Sequence, residues 1–306
     1  MVWIKERGST SFHTISDTVR GAGKRVNPDL TNAEETLANL MTSFDSDGFT
    51  NGADNGVNES GQTYVSWNWK ANGTGSANTD GSITSTVSVN TTSGFSIVKF
   101  TGTEANGTVG HGLGVAPKFI FGKNLDTGTS AWPVYHASIG GTKYLNINTT
   151  SGEGTYGGYW NNTAPTSNVF SVGSHADVNR DNMIYYCFAE KPGYSKIGSY
   201  TGNGNIDGPF AYTGFKPNFI MLKNTVDNGD NWTIYDSSRD PNNKSENLLF
   251  ANSNSTEADG NFMDILSNGF KQRNTSNGNN GSGDKLIYMA FGQSIVGSNN
   301  VPATAR

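Results

Sequence analysis

The chain carries an internal repeat with a period of 100 residues. Gly114–Ile120 returns as Gly214–Ile220, both reading Gly-x-x-Pro-x-Phe-Ile, and Trp132–Tyr135 returns as Trp232–Tyr235. A period this long exceeds the repeat of a solenoid and corresponds to one small domain. The sequence therefore predicts tandem copies of one fold.

Short runs of aromatic and β-branched residues alternate with clusters of Gly, Asn, Asp and Ser, a pattern typical of strands joined by turns. Aromatic residues make up 11% of the chain, which argues against disorder despite its 39 glycines. Strands of this length and spacing favour sandwiches over propeller blades, whose repeats are shorter. We therefore predict an all-β fold of tandem antiparallel β-sandwich (jelly-roll-like) repeats, each of about 100 residues, with little helix.

The repeat also predicts the domain boundaries. The final strands of the three copies align at Tyr64–Trp69, Met183–Phe188 and Leu286–Phe291. The last two runs are apolar throughout, which indicates a central strand buried on both faces. We expect a partial first repeat at 1–75, a Gly/Ser/Thr/Asn-rich linker at 76–93, a second repeat at 94–193, a third at 194–296 and a tail at 297–306.

The first repeat is predicted to be incomplete. Trp3–Lys5 aligns with Phe121–Lys123, so the two edge strands that open a complete repeat have no counterpart before it. We expect either that the chain is a fragment or that another segment supplies these strands, with Gln293–Arg306 as a candidate. Thr31–Glu34 reads as a helix capping box and precedes apolar residues at helical spacing, so we expect one helix over 31–44.

Composition excludes several classes of partner. The net charge of −5 argues against nucleic acid, which requires a basic surface. No run approaches the roughly 20 apolar residues that span a bilayer. Met1–Arg7 lacks the apolar core of a signal peptide, and Cys187 has no second cysteine with which to form a disulfide. We expect a protein that is made without a signal peptide and is not inserted into a membrane.

No motif for catalysis, a cofactor or a metal stands out. The chain has no nucleophile elbow and no phosphate-binding loop, and its four histidines lack ligand spacing. Asp45–Gly48 resembles the start of a calcium loop, but Gly56 occupies the twelfth position, where such a loop needs a glutamate. We read Asp45–Gly48 as a turn and expect a protein that is not an enzyme.

Two kinds of side chain are candidates for ligand contact. Aromatic residues beside Asn and Asp can stack on sugar rings or anchor the edge of a core. An Asp and an Arg three residues apart can hold two hydroxyl groups or brace a strand end. Both alternatives remain open for Trp132, Tyr159, Trp160, Trp232, Asp236 and Arg239.

Several phrases occur together in a recognisable combination: Asp80–Val87, Gly94–Thr103, Gly110–Phe119, Trp132–Ser138, Tyr185–Glu190, Gly193–Lys196 and Val296–Arg306. Together they resemble an uncharacterised β-repeat family of predicted tail and other virion proteins of marine bacteriophages, over nearly the whole chain. The resemblance implies a virion protein of the tail or tail fibre that is made in the cytoplasm of the host. It also implies other virion proteins as partners and a host-surface glycan or protein as a candidate ligand. It supplies no catalytic residues.

The alternatives are a depolymerase of surface polysaccharide and a purely architectural virion component. A homo-oligomer is compatible with a fibre, although no coiled-coil heptads argue for one.

Overall fold

The computed structural model describes residues 1–293, and it is nearly all β, with 42% strand and 5% helix. Every pair of named strands in this part of the chain is antiparallel, and the strands form sandwich-like layers. The all-β prediction is confirmed. The described residues divide into two compact units: 1–148, 154–189 and 252–256 form one, and 149–153, 190–251 and 257–293 form the other.

The first repeat folds around a three-stranded sheet of order β2-β1-β7, with two hairpins, β3-β4 and β5-β6, beside it. Its elements are β1 Val2–Glu6, β2 Thr14–Ser16, β3 Lys24–Arg25, β4 Glu35–Thr36, β5 Met41–Phe44, β6 Phe49–Asn51, α1 Asn55–Asn58 and β7 Tyr64–Asn68.

The second repeat belongs to the same compact unit and contains an eight-stranded sheet of order β15-β14-β13-β12-β17-β10-β9-β8 and a two-stranded sheet, β11-β16. Its elements, with the segment before it, are β8 Ser76–Asn78, β9 Ser85–Asn90, β10 Phe95–Thr101, β11 Gly107–Gly110, β12 Phe119–Asn124, β13 Pro133–His136, β14 Lys143–Asn146, β15 Gly154–Thr155, α2 Gly157–Trp160, β16 Val169–Val172, α3 Ala176–Asn179 and β17 Asn182–Phe188.

The third repeat forms most of the second compact unit, and its eight strands follow the order β18-β25-β20-β21-β22-β23-β24-β19. Its elements are β18 Ser195–Thr201, β19 Phe210–Tyr212, β20 Lys216–Asn224, β21 Thr233–Asp236, β22 Ser245–Phe250, β23 Ala258–Leu266, β24 Gly269–Gln272, α4 Asn277–Asn280 and β25 Lys285–Gln293.

The pairing register aligns the three repeats residue by residue. A buried lysine occupies the last pair but one of the central ladder in each copy: Lys5 lies opposite Val65, Lys123 opposite Ile184, and Lys223 opposite Ile287. Strands β1, β12 and β20 are therefore equivalent, and so are β7, β17 and β25. Both β17 and β25 have a strand on each side, which confirms the predicted central strand.

The three lysines share one structural role. Each is 0% exposed and donates hydrogen bonds from Nζ to backbone carbonyls. Lys123 reaches the carbonyls of Thr127 and Ser130 at 3.3 and 3.1 Å, and Lys223 those of Thr150 and Asp230 at 3.0 and 2.6 Å. The ammonium group thus holds the loop that follows its own strand, and that of Lys223 also holds the segment at Thr150, because backbone carbonyls are the acceptors within its reach.

The sequence predicted a linker at 76–93 and two edge strands missing from the first repeat. The interval 76–93 contains β8 and β9, and β9 pairs along β10 from Asn90 to Ser85. Strand β7 ends its three-stranded sheet, so within residues 1–293 no strand pairs with its outer edge. The proposed donor lies outside the described residues apart from Gln293, so the donor idea stays a prediction.

The predicted helix over 31–44 is wrong. That segment forms β4 and β5 instead. Glu34, the last residue of the supposed capping box, pairs with Arg20 and Lys24, while Leu40 and Met41 are buried in the small core of the first repeat. Tertiary contacts override the local helix signal because they bury the same apolar residues in an extended chain.

Candidate functional site

The four predicted aromatic contacts are buried: Tyr159 is 4% exposed, and Trp132, Trp160 and Trp232 are at most 1% exposed. Trp132 donates its indole N–H to the carbonyl of Leu30 at 3.0 Å. Tyr159 stacks on Tyr144 with the ring centroids 3.8 Å apart. The structure gives these side chains packing contacts, and a ligand role for them stays a prediction.

Asp236 and Arg239 form a buried ion pair at the end of β21. Arg239 Nε lies 2.6 Å from Asp236 Oδ2, and its Nη2 donates to the carbonyl of Ile234 at 3.0 Å. Its Nη1 reaches Glu257 at 3.0 Å, so every face of the guanidinium has a protein acceptor. These are the contacts of a strand-end brace.

The first repeat builds the same brace from Asp17, Arg20 and Glu34. Arg20 donates to the carbonyl of Ile15 at 2.9 Å, as Arg239 does to that of Ile234. The second repeat has His136 at the position of the aspartate, and its Nδ1 accepts the backbone N–H of Ser138 at 3.0 Å. An aspartate carboxylate in the third repeat and a histidine ring in the second thus accept the equivalent backbone N–H of the same turn.

A cavity of about 570 Å³ opens in the first repeat. Its volume lies within the range of small-molecule sites. Strands β1 and β7 form one wall, and the β5-β6 hairpin forms another. The lining consists of Met1, Val2, Thr18, Phe44, Asp45, Ser46, Asp47, Gly48, Phe49, Asn68, Trp69, Lys70, Ala71 and Gly73.

The hairpin turn beside the cavity is held by Asp45. Its Oδ1 accepts a hydrogen bond from Ser43 Oγ at 2.8 Å, and its Oδ2 accepts one from Thr50 Oγ1 at 2.9 Å. The Asp45 backbone N–H donates to the carbonyl of Gly48 at 2.9 Å. Because both carboxylate oxygens are engaged, Asp45 orders the turn that presents Phe44 and Phe49 to the cavity.

Comparison of the repeats shows that this part of the first repeat is unusually polar. Ser66, Asn68 and Lys70 are exposed, whereas the equivalent residues of the complete repeats are almost all buried, and apolar or aromatic. By register, the counterparts are Tyr185 and Tyr288 for Ser66, Cys187 and Ala290 for Asn68, and Ala189 and Gly292 for Lys70. The wall of the cavity is therefore suited to water or a polar ligand.

The cavity combines aromatic surface with uncommitted polar groups. Phe44 and Phe49 are half-buried, and Trp69 packs edge-on against Phe188 with the centroids 5.8 Å apart. Within residues 1–293, the Asp47 carboxylate and the Lys70 ammonium group make no hydrogen bond or ion pair. A ligand with an apolar face and a hydroxylated rim would find a partner for each part of its surface.

Sequence reasoning did not find this cavity. The turn at Asp45–Gly48 was recognised, but only as a turn. The available signal was the polar sequence of β7 in alignment with the apolar β17 and β25, which becomes informative once the register is known.

The described residues hold no group of three or more His, Cys, Asp or Glu side chains placed to bind a metal ion. None of the helices in the described part of the chain is both long and apolar enough to cross a membrane.

Residues 1–294 match the family model described as a domain of unknown function (DUF7483), and the chain therefore belongs to that family. No curated protein and no solved structure matches the chain.

Proposed function

We propose that this member of the DUF7483 family binds glycan through the cavity of its first repeat and serves as a structural component of a phage tail or tail fibre. The observation that carries the glycan site is the presence of the polar Asn68 and Lys70 beside Phe44 and Phe49, where the complete repeats have small or apolar residues. The virion location rests on the sequence resemblance alone.

Saccharides suit the chemistry of this cavity. A pyranose ring has an apolar face of C–H groups, which packs on an aromatic ring, and a rim of hydroxyls that both donate and accept hydrogen bonds. Phe49 supplies the aromatic surface, while Asp47 offers an acceptor, Lys70 a donor, and Asn68 both. The host surface is a source of such ligands, and other virion proteins are the proposed assembly partners.

The depolymerase alternative finds less support. Glycoside hydrolysis by two carboxyl groups requires one to donate a proton and the other to act as a nucleophile or base. Asp45 and Asp47 line the cavity, but both oxygens of Asp45 accept hydrogen bonds within its own hairpin. A purely architectural role would leave the polar wall of the cavity without a use.

The test is affinity electrophoresis of the full chain in gels that contain host-surface polysaccharide, together with dextran, mannan and galactan gels. The variants are Asp47→Ala and Lys70→Ala. Loss of one charged hydrogen bond to a ligand costs roughly 1.5–3 kcal/mol, so we expect each variant to bind at least about tenfold more weakly.

Matched controls come from the same chain. Asp259→Ala and Lys99→Ala remove residues of the same type that make no ion pair within the described residues and do not line the cavity. They should migrate as the unmodified protein does. Retardation that is equal for all four variants would place the ligand elsewhere, and the absence of retardation in every gel would overturn the glycan proposal.

A further inference from the structure

The third repeat exposes an aromatic pair on the outer face of its sheet. Phe210 and Tyr212 alternate along β19 with Ala211, which enters the core. They are 44% and 61% exposed, and Ile206, four residues before Phe210, is 66% exposed. Large apolar side chains that gather at one surface, instead of being scattered, mark a binding surface.

Glycines lie next to both rings and leave room for them against the backbone. A Cβ on Gly269 would lie 2.8 Å from the Phe210 ring, so the ring rests directly over a bare stretch of β24. Tyr212 lies beside Gly214, whose φ of +84° is one that favours glycine. The rings are thus supported from below by the sheet.

The second repeat lacks this arrangement. By the register of β11 with β16 and of β19 with β24, Thr108 and Gly110 take the places of Phe210 and Tyr212. Val169 takes the place of Gly269. The aromatic residue and the glycine beneath it therefore change together, although the surrounding strands are retained.

Charged groups border the rings on the same face. Phe210 pairs with Lys271, and Lys271 pairs with Asp264 on the next strand, so all three side chains share the outer face. Asp207, whose side chain is 75% exposed, lies 2.9 Å from Lys271 Nζ and 3.1 Å from Arg273 Nη1. Arg273 Nε in turn reaches Asp264 at 2.6 Å.

This border has two carboxylates and two cations, so it carries no net charge. A strongly acidic or basic partner would gain little from it, whereas a neutral ligand with many hydroxyl groups could use all four groups as hydrogen-bond partners. Successive residues on one face of a strand are roughly 6–7 Å apart, so the two rings can lie under neighbouring sugar units of one chain.

We infer that Phe210 and Tyr212, with Asp207, Lys271 and Arg273 at their border, form a second saccharide-binding surface, which takes a neutral pyranose chain of two or more units. The choice of ligand class rests on the proposed function, but the surface is independent of the first-repeat cavity and belongs to the other compact unit.

The first experiment is isothermal titration of the full chain with neutral hexasaccharides of glucose, mannose, galactose or N-acetylglucosamine. The test protein carries Phe210→Thr, the residue found in the second repeat, and Tyr212→Ser. Because both side chains point to solvent, the variant should fold. We expect at least about a tenfold loss of affinity, since the variant removes both aromatic contacts together.

Phe12→Ser is the matched control, because Phe12 has the same 44% exposure as Phe210 and belongs to the first unit. The Lys70→Ala variant separates this proposal from the cavity. A loss confined to Lys70→Ala overturns the second surface and keeps the cavity, and a loss confined to the aromatic variant does the reverse. Absence of binding by the unmodified chain overturns both.

A footprint on the unmodified protein gives a second test that needs no variant. Tetranitromethane nitrates exposed tyrosines, and Tyr212 and Tyr156 are 61% and 51% exposed. We expect a saturating hexasaccharide to slow nitration of Tyr212 and to leave Tyr156 unchanged. Equal nitration of Tyr212 with and without the saccharide would overturn the proposal.

Discussion

Tyr186 donates a hydrogen bond to the buried carboxylate of Asp17 at 2.8 Å, although the two residues are 169 positions apart. Arg20 completes the group, since its Nη2 donates to the Tyr186 hydroxyl at 3.3 Å. The central strand of the second repeat thereby takes part in the strand-end brace of the first. The two repeats are coupled within one compact unit by more than apolar packing.

Removing the Tyr186 hydroxyl should weaken this coupling. Tyr186→Phe leaves the Asp17 carboxylate short of one donor in a site without water contact, so we expect a loss of about 1–3 kcal/mol in the free energy of unfolding. Urea unfolding checks it, with Tyr156→Phe as the exposed control. A variant as stable as the parent would mean that Arg20 and the backbone N–H of Val19 satisfy the carboxylate without Tyr186.

The brace of the third repeat should be structural. Arg239→Met leaves Asp236 buried without its partner, and we expect a loss of about 3–5 kcal/mol. Replacing both residues, as Asp236→Leu with Arg239→Met, should cost less than the single change, because the fully buried Asp236 carboxylate is gone and only the partly exposed Glu257 has lost its partner Arg239. Urea unfolding of the two variants compares them. A double variant less stable than the single one would contradict this account.

Acid should weaken the first brace. Burial acts to raise the pKa of Asp17, but the Arg20 charge and the hydrogen bonds of Arg20 and Tyr186 hold that pKa below its usual range. The native state therefore releases this proton more readily than the unfolded chain does. Its contribution is present above the unfolded value of about 3.9 and is lost as pH falls through the lower folded value. Unfolding midpoints measured from pH 5 to pH 2 should fall, and less steeply for Asp17→Asn.

Asp29 should have the opposite effect at higher pH. Burial raises its pKa to about 7, and the hydrogen bonds and nearby cations only partly offset this. Between about pH 4 and pH 7 the folded protein holds a proton that the unfolded chain has lost, so stability should fall as pH rises, by at most about 1.4 kcal/mol per unit. Asp29→Asn should remove this dependence in thermal unfolding measured across that range. An unchanged slope in the variant would assign the effect to another group.

The final strands predicted at Tyr64–Trp69, Met183–Phe188 and Leu286–Phe291 correspond to β7, β17 and β25, with bounds that differ by at most two residues at each end. Each alternates in burial or is apolar, and each ends at a turn signal. Strand β11 has no comparable signal in the sequence, because Gly107 and Gly110 carry no strand preference of their own. This strand is stabilised instead by its backbone pairing with β16.

The candidate site was less predictable for a physical reason. The aromatic residues at strand starts were candidates both for ligand contact and for anchoring the edge of a core, and Trp132 and Trp232 are buried in the packing of the sheets, as large rings usually are. The cavity depends on which residues of β7 lie beside the β5-β6 hairpin. That relationship is set by pairing between distant strands, and no local pattern encodes it.

The rates at which the carbonyl-bound lysines react with an acylating reagent should measure local opening of the structure. Burial lowers the pKa of Lys123 and Lys223 to about 8, so part of each side chain is already an unprotonated amine at mildly alkaline pH. Both side chains are fully buried, so an acylating reagent can reach these amines only when the surrounding loop opens. Since Lys123 and Lys223 belong to different compact units, their relative rates of labelling report how often each unit opens on its own.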